Sequence, residues 1–145
     1  MTAVKIILGD GTHEATLKNY KLWADKVLVD APCSGLGTLR RHPEIRLKER
    51  NLTELNRIQL QLLEAGASAV KPGGALVYSV CTPVFSEGPG IIDAFLRMQP
   101  EFTRERASNV LQCLPENAVT AAGDVLLWPH RHECDAFFAS RLIRK

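Results

Sequence analysis

The chain has 145 residues, which is enough for one domain with a hydrophobic core. Its 18 basic and 16 acidic residues give a formal net charge of only +2, so the overall charge does not by itself indicate a nucleic-acid partner. No apolar stretch approaches the ~20 residues of a membrane-spanning helix, and the N-terminus lacks a signal-peptide pattern. We therefore expect a soluble, cytoplasmic protein without a membrane partner.

The first half of the chain predicts strands that alternate with helices. Apolar runs over residues 4–8 and 26–30 are each followed by turn residues, a pattern typical of buried strands. A helix is expected over residues 52–70, where apolar side chains recur at helical spacing and Asn51 or Thr53 can cap the N-terminus. The Lys-Pro-Gly-Gly sequence that follows ends this helix.

The second half predicts a further strand, a helix and then two consecutive strands. The strand covers residues 75–78 and the helix covers residues 90–98, with its apolar side chains on one side. Two more strands are expected over residues 124–128 and 136–142. This order of elements predicts an α/β fold with a mostly parallel sheet and an antiparallel strand pair near the C-terminus.

Cys33 and Cys81 each follow a predicted strand and stand at the beginning of a turn. Open α/β sheets bind their ligands at the carboxyl ends of the strands, so both thiols are expected in the ligand site. The alternative is that the two thiols are buried and inert, because a free cysteine often acts as a small core residue.

The other cysteines do not extend this pattern into a metal site. The four cysteines contain no Cys-x-x-Cys pair, which disfavours a disulfide framework and a Cys-only zinc site. His130, His132 and Cys134 alternate like zinc ligands, but they have strand spacing and no fourth partner nearby in the sequence. We therefore expect reduced thiols and no metal.

Two thiols beside a carboxyl group suit carbon chemistry on a pyrimidine. Carbon 5 of cytosine attacks a methyl donor only after a nucleophile has added at carbon 6, and a second group must later remove the proton from carbon 5. A thiolate is a suitable nucleophile, and a second thiol or a carboxylate is a suitable base. A thiol redox protein is an alternative, which requires one thiol with a depressed pKa.

Three segments resemble the Sun/Fmu-type RNA cytosine-5 methyltransferases. They are VLVDAPCSGLGTLRRHPEIR at residues 27–46, LLEAGASAVKPGGALVYSVCTP at residues 62–83 and HECDAFFASRL at residues 132–142. The resemblance covers most of the chain from Val4 onward, and the three segments in this order are highly specific. It implies a Rossmann-like fold, S-adenosylmethionine as the cofactor, and rRNA or tRNA as the substrate.

The resemblance also implies a role for each candidate residue. Cys81 attacks carbon 6 of the base, Cys33 resolves the covalent intermediate, and Asp30 contacts the target base and the reactive end of the cofactor. Asp10 holds the adenine end, and Pro32 joins Asp10 and Asp30 as an expected cofactor-binding residue. Asp10 and Asp30 can instead be ordinary turn or cap residues.

Two departures from the family pattern stand out. The chain begins at the third strand of the family fold, so residues 1–145 are expected to be the C-terminal portion of a catalytic domain. The first two strands, the Pro-Gly-Gly-Lys-type cofactor loop and the acidic residue that grips the ribose have no counterpart. Residues 84–90 also lack the usual run of acidic and asparagine residues after the catalytic motif. A non-catalytic relic or subunit that binds RNA or a protein is therefore the alternative hypothesis.

The predicted architecture has consequences for partners. Without the first two strands, the strand over residues 4–8 would pair with residues 26–30, or an open edge would recruit a second chain. That chain would be a second copy or the missing N-terminal half. Arg40, Arg41 and Arg46 follow the Cys33 loop and are candidates for RNA phosphate contacts, although such a basic run is often only a solvated face.

Overall fold

A five-stranded sheet forms the framework of the computed structural model, which describes residues 4–115 and 117–145. The strands are β1 (Ala24–Asp30), β2 (Val70–Val80), β3 (Phe102–Glu105), β4 (Val125–Leu127) and β5 (Phe137–Arg144). The helices are α1 (Leu52–Ala69), α2 (Pro89–Met98) and the single-turn α3 (Pro129–His132). The strand order is β1-β2-β5-β3, and β4 also pairs with β5.

Four of the five strands run in the same direction. β1 and β2 are parallel, whereas β5 is antiparallel to each of its neighbours β2, β3 and β4. The predicted α/β class, with a mostly parallel strand direction and an antiparallel pair of C-terminal strands, is confirmed. The sequence did not predict β3, which has only four residues and only one buried side chain, Phe102.

Helix α1 begins and ends where its sequence signals lie. Asn51, rather than Thr53, is the N-cap, because its side chain accepts a hydrogen bond from the Glu54 N–H at 3.1 Å. Gly66 allows close packing on the sheet, since a Cβ atom there would lie 2.9 Å from a methyl group of Val29. Helix α1 thus lies against the strand that leads to Cys33.

The core lies between the sheet and the two longer helices. Tyr78, Phe95, Phe138 and Leu63 are completely buried in it, and the Tyr78 hydroxyl donates a 2.7 Å hydrogen bond to the carbonyl of Glu87. Burial of each such large apolar side chain contributes about 1.5–3 kcal/mol. This packing ties the segment that follows Cys81 to the strand that precedes it.

The prediction of a strand over residues 4–8 is wrong. Ile6 and Leu8 are 92% and 101% exposed, and within the described ranges no strand pairs with this segment. An apolar run becomes a strand only when a neighbour satisfies its backbone and covers one face, and neither is provided here. The expected pairing with residues 26–30 therefore does not occur, whereas recruitment of a second chain stays a prediction.

None of the helices found in residues 4–115 and 117–145 is long and apolar enough to cross a membrane.

Candidate active site

The two cysteines predicted from the sequence lie next to each other. β1 and β2 are parallel neighbours, and Asp30 pairs in register with Ser79, so the loops that leave both strands emerge at the same edge of the sheet. The sulfur atoms of Cys33 and Cys81 are 3.3 Å apart, and both residues are partly buried. Sequence positions 48 residues apart thus form one two-thiol site.

The surroundings of Cys33 favour its protonated form. Burial raises the pKa of Cys33 to about 12, and the neighbouring Cys81 sulfur acts in the same direction. Cys33 is therefore a thiol at neutral pH and can donate its proton to a hydrogen bond with the Cys81 sulfur. A raised pKa is the opposite of what the thiol redox hypothesis requires of Cys33.

Asp30 lies at the end of β1, at the same sheet edge. The buried Ser79 hydroxyl donates a 2.9 Å hydrogen bond to Asp30 Oδ1 and fixes the orientation of this otherwise exposed carboxylate. Pro32 is also exposed, and its carbonyl accepts a 3.0 Å hydrogen bond from the Gln59 side chain. The structure therefore brings Asp30 and Pro32 to the two-thiol site and adds Ser79 and Gln59 as supporting residues.

A buried glutamate that the sequence analysis did not single out connects the two cysteine loops. Glu87 is completely buried, and its carboxylate accepts hydrogen bonds from the Ser34 N–H at 2.8 Å and the Ser34 hydroxyl at 2.6 Å. Gln59 Nε2 donates a third hydrogen bond at 3.1 Å. Glu87 is the one acidic residue of segment 84–90, and this is the sequence signal that could have indicated it.

A glycine holds the same two loops together through the backbone. The Gly37 N–H donates to the Cys81 carbonyl, and the Gly37 carbonyl accepts from the Ala136 N–H, each at 3.0 Å. A Cβ atom on Gly37 would lie 2.1 Å from the Ala136 carbonyl oxygen and 2.7 Å from that of Cys81. Only glycine fits this position, because both obstacles are backbone atoms.

Asp10 hydrogen-bonds within its own turn. It accepts hydrogen bonds from the Thr12 hydroxyl and N–H at 2.7 and 2.9 Å, and these contacts lower the pKa of its carboxyl group. It borders an open cleft of about 530 Å³ together with Arg57 and Gln61 of α1. These contacts with Thr12 are those of a turn residue, so the predicted contact with adenine stays a prediction.

The comparison with protein families gives this geometry its context. The family model described as "16S rRNA methyltransferase RsmB/F" matches residues 1–143, a range that contains every residue of the site. The chain belongs to the RsmB/F family. The resemblance to Sun/Fmu-type methyltransferases is thereby confirmed.

Individual relatives agree with this assignment. The ribosomal RNA small subunit methyltransferase B of Thermus thermophilus is 43% identical over 83% of this chain and 29% of its own length. The protein of the same name from Yersinia pestis is 37% identical over 83% of this chain and 26% of its own length. The RsmB/F chain therefore spans less than a third of these curated relatives.

Solved structures show the same partial coverage. The crystal structure of NSun6 from Pyrococcus horikoshii with SFG matches with a TM-score of 0.77 and 27% identity. That match covers 99% of the RsmB/F chain and 35% of the NSun6 chain. The crystal structure of PH0851 has a TM-score of 0.77 at 37% identity, over 86% of this chain and 27% of its own.

The basic segment of the RsmB/F chain contains two kinds of arginine. Arg41 forms an ion pair with Asp135, and Arg50 donates a 2.9 Å hydrogen bond to the Ser34 carbonyl, so both support the loops. Arg40 and Arg46 are exposed and form no ion pair within the described part of the chain. These two side chains are the better placed to meet an external phosphate.

His132, near the C-terminus, makes a local contact with the backbone of Trp128. His132 Nδ1 accepts a 2.9 Å hydrogen bond from the Trp128 N–H, which closes the turn of α3. Over residues 4–115 and 117–145, no group of three or more His, Cys, Asp or Glu side chains is arranged to hold a metal ion.

Proposed function

We propose that this RsmB/F chain provides the thiol half of an RNA cytosine-5 methyltransferase site that acts on rRNA or tRNA. The observation that carries the proposal is the 3.3 Å contact between the Cys33 and Cys81 sulfurs, at the sheet edge where β1 ends with Asp30. Nucleophile, base and orienting carboxylate are the groups that methylation of carbon 5 requires.

Cys81 is assigned as the nucleophile. Its sulfur forms a bond to carbon 6 of cytosine, which makes carbon 5 electron-rich enough to accept a methyl group. In the resting site this sulfur lies 3.3 Å from the Cys33 sulfur, within hydrogen-bond contact, so the nucleophile and the proposed base are already side by side. The Asp30 carboxylate, oriented by Ser79, accepts hydrogen bonds from the target base.

Cys33 is assigned to the release step. After methylation, carbon 5 carries both the methyl group and a proton. Cys33 first loses its own proton to solvent and then, as the thiolate, takes the proton from carbon 5; the double bond between carbons 5 and 6 re-forms, and the Cys81 sulfur leaves as thiolate. Once Cys81 is bonded to carbon, its sulfur no longer adds to the raised pKa of Cys33, and burial is the main cause that remains.

The residues of this chain fit part of an S-adenosylmethionine site. When bound, this cofactor supplies an electrophilic methyl group on a positively charged sulfur. The carboxylates of Asp30 and Asp10 are acceptors that suit the amino groups of such a molecule, and Pro32 directly precedes Cys33. The NSun6 structure was solved with SFG, an analogue of S-adenosylmethionine, which supports use of this cofactor.

The RNA partner is expected to present an unpaired base. A cytosine within a helix is stacked, so it must be extruded or single-stranded to bring carbon 6 to the Cys81 sulfur. Arg40 and Arg46 are the proposed phosphate contacts, since backbone contacts of this kind fix the register of the RNA without reading its sequence.

Calorimetric titration with S-adenosylmethionine tests whether this chain holds a working cofactor site. A Kd below ~1 mM, equivalent to about −4 kcal/mol, would support the proposal. Asp30→Asn is expected to weaken that binding, whereas Glu54→Gln, a matched change on the exposed face of α1, is expected to leave it unchanged. Absence of detectable binding would contradict methylation by this chain alone and favour a non-catalytic role.

A further inference from the structure

Each cysteine of the site is followed by a buried hydroxyl residue. Ser34 follows Cys33 and is 6% exposed, and Thr82 follows Cys81 and is completely buried. The two hydroxyl oxygens are 3.1 Å apart, so the residues next to the thiols contact each other just as the thiols do. The spacing of the two sulfurs therefore depends on how this hydroxyl pair is held.

The available protons fix the direction of the hydrogen bonds. The Ser34 hydroxyl has one proton, and its 2.6 Å contact with Glu87 Oε2 shows that this proton goes to the carboxylate. The Thr82 hydroxyl then donates to Ser34 Oγ, while its own oxygen accepts from the Val84 N–H at 3.3 Å. The chain of donors from both cysteine loops thus ends at Glu87.

The Glu87 carboxylate is built into the site as an acceptor. Its contacts with the Ser34 N–H, the Ser34 hydroxyl and the Gln59 amide all come from donors. Within the described ranges no Lys, Arg or His forms an ion pair with it. Burying a carboxylate completely costs desolvation free energy unless hydrogen-bond donors compensate it. Glu87 therefore favours the arrangement in which Ser34 and Gln59 keep these hydrogen bonds.

We propose that Glu87 is a positioning residue that sets the distance between the Cys33 and Cys81 sulfurs. It does so by binding Ser34 directly and Thr82 through Ser34. This inference rests on the proposed function, since Cys33 must reach the proton on carbon 5 of the cytosine that Cys81 holds through carbon 6. Glu87 hydrogen-bonds to neither sulfur and takes no part in bond making.

The test measures how readily the two thiols react with each other. In a background with Cys113→Ser and Cys134→Ser, the protein is equilibrated with glutathione disulfide, so that each Cys33–Cys81 disulfide formed yields two reduced glutathiones. Glu87→Gln removes the negative charge and replaces one of the two acceptor oxygens with a donor, so the hydrogen bonds from Ser34 and Gln59 weaken and the loops are held less tightly. The equilibrium constant is expected to fall at least about tenfold, which raises the reduction potential by about 30 mV.

The matched control is Glu54→Gln. Glu54 is exposed on α1 and pairs with Arg57, so the same chemical change there is expected to leave the potential unchanged. A folded Glu87→Gln protein with an unchanged potential would overturn the proposal.

A second variant keeps the test decisive if Glu87→Gln does not fold. Ser34→Ala removes the hydroxyl that links Thr82 to Glu87 but retains the backbone N–H contact of residue 34 with Glu87. It is expected to lower the equilibrium constant by a smaller factor, and an unchanged constant would overturn the proposal. The measurement contains neither RNA nor cofactor, so its failure is distinct from a failure of the proposed methylation.

Discussion

Gly37→Ala is expected to be among the most damaging single substitutions in this protein. Gly37 is buried, and its added methyl group would lie 2.1 Å from the Ala136 carbonyl oxygen and 2.7 Å from the Cys81 carbonyl oxygen. Neither oxygen can rotate away as a flexible side chain would, because each belongs to a backbone that is already hydrogen-bonded to Gly37. The loops must therefore separate.

The size of the effect follows from the two hydrogen bonds that separation breaks. Each contributes about 1 kcal/mol net, and each buried polar group left unpaired costs about 1–3 kcal/mol. With partial relaxation, we expect a loss of about 3–5 kcal/mol, a large part of the 5–15 kcal/mol typical of a folded domain. The same movement displaces the Cys81 backbone, so the contact between the two thiols should also be lost.

Urea unfolding followed by circular dichroism measures this loss, with Gly73→Ala as the control. Gly73 has a φ of +76° but no heavy atom near the added methyl group, so alanine there costs only about 1 kcal/mol of backbone strain. The midpoint for Gly37→Ala should fall well below that for Gly73→Ala, without a change in the slope m. Equal losses for the two variants would refute the steric argument.

Three further predictions concern pH, RNA and self-association. The pKa of Cys33 is raised to about 12, above the ~8.5 of an unfolded thiol, so its contribution to stability is present below about pH 8.5 and is lost as pH rises toward 12. Cys33→Ser should reduce this alkaline loss of stability, measured by urea unfolding at a series of pH values. If stability falls with pH as steeply in Cys33→Ser as in the exposed-thiol control Cys113→Ser, the prediction is contradicted. Arg46→Ala should weaken RNA binding and reduce by about 1 the slope of the logarithm of the binding constant against the logarithm of salt concentration. Arg41 already forms an ion pair with Asp135, so Arg41→Ala should change this slope less. Equal slopes for the two variants in filter binding would argue against the phosphate role of Arg46. The open edge of β1 should recruit a second chain, and Leu28→Lys, at a position 67% exposed, should reduce this association; light scattering that gives a clean monomer of the unsubstituted protein at micromolar concentration would exclude the homodimer.

The two-thiol site could be predicted because it depends on local signals. Cys33 and Cys81 each end a strand-and-turn pattern, and parallel neighbouring strands bring such positions to one edge of the sheet. Asp30, at the end of the same strand, follows from the same argument. These placements need only the strands and their direction.

Glu87 could not be predicted in the same way. Its role depends on contacts with Ser34 from one loop and Gln59 from α1, and no periodicity in the sequence indicates that these three residues meet. The strand prediction for residues 4–8 was wrong for the converse reason. Its apolar run is typical of a strand, but strand formation requires a partner that the described part of the chain does not provide.

The most direct test of the proposed methylation is to trap the covalent adduct between Cys81 and RNA. The Cys33→Ser protein is incubated with cytidine-containing RNA and S-adenosylmethionine and analysed on a denaturing gel. Loss of the Cys33 thiol should block proton removal, so a protein–RNA adduct is expected to accumulate and to disappear when Cys81→Ser is added. Absence of an adduct with Cys33→Ser, or an adduct that persists without Cys81, would contradict the assignment of nucleophile and base.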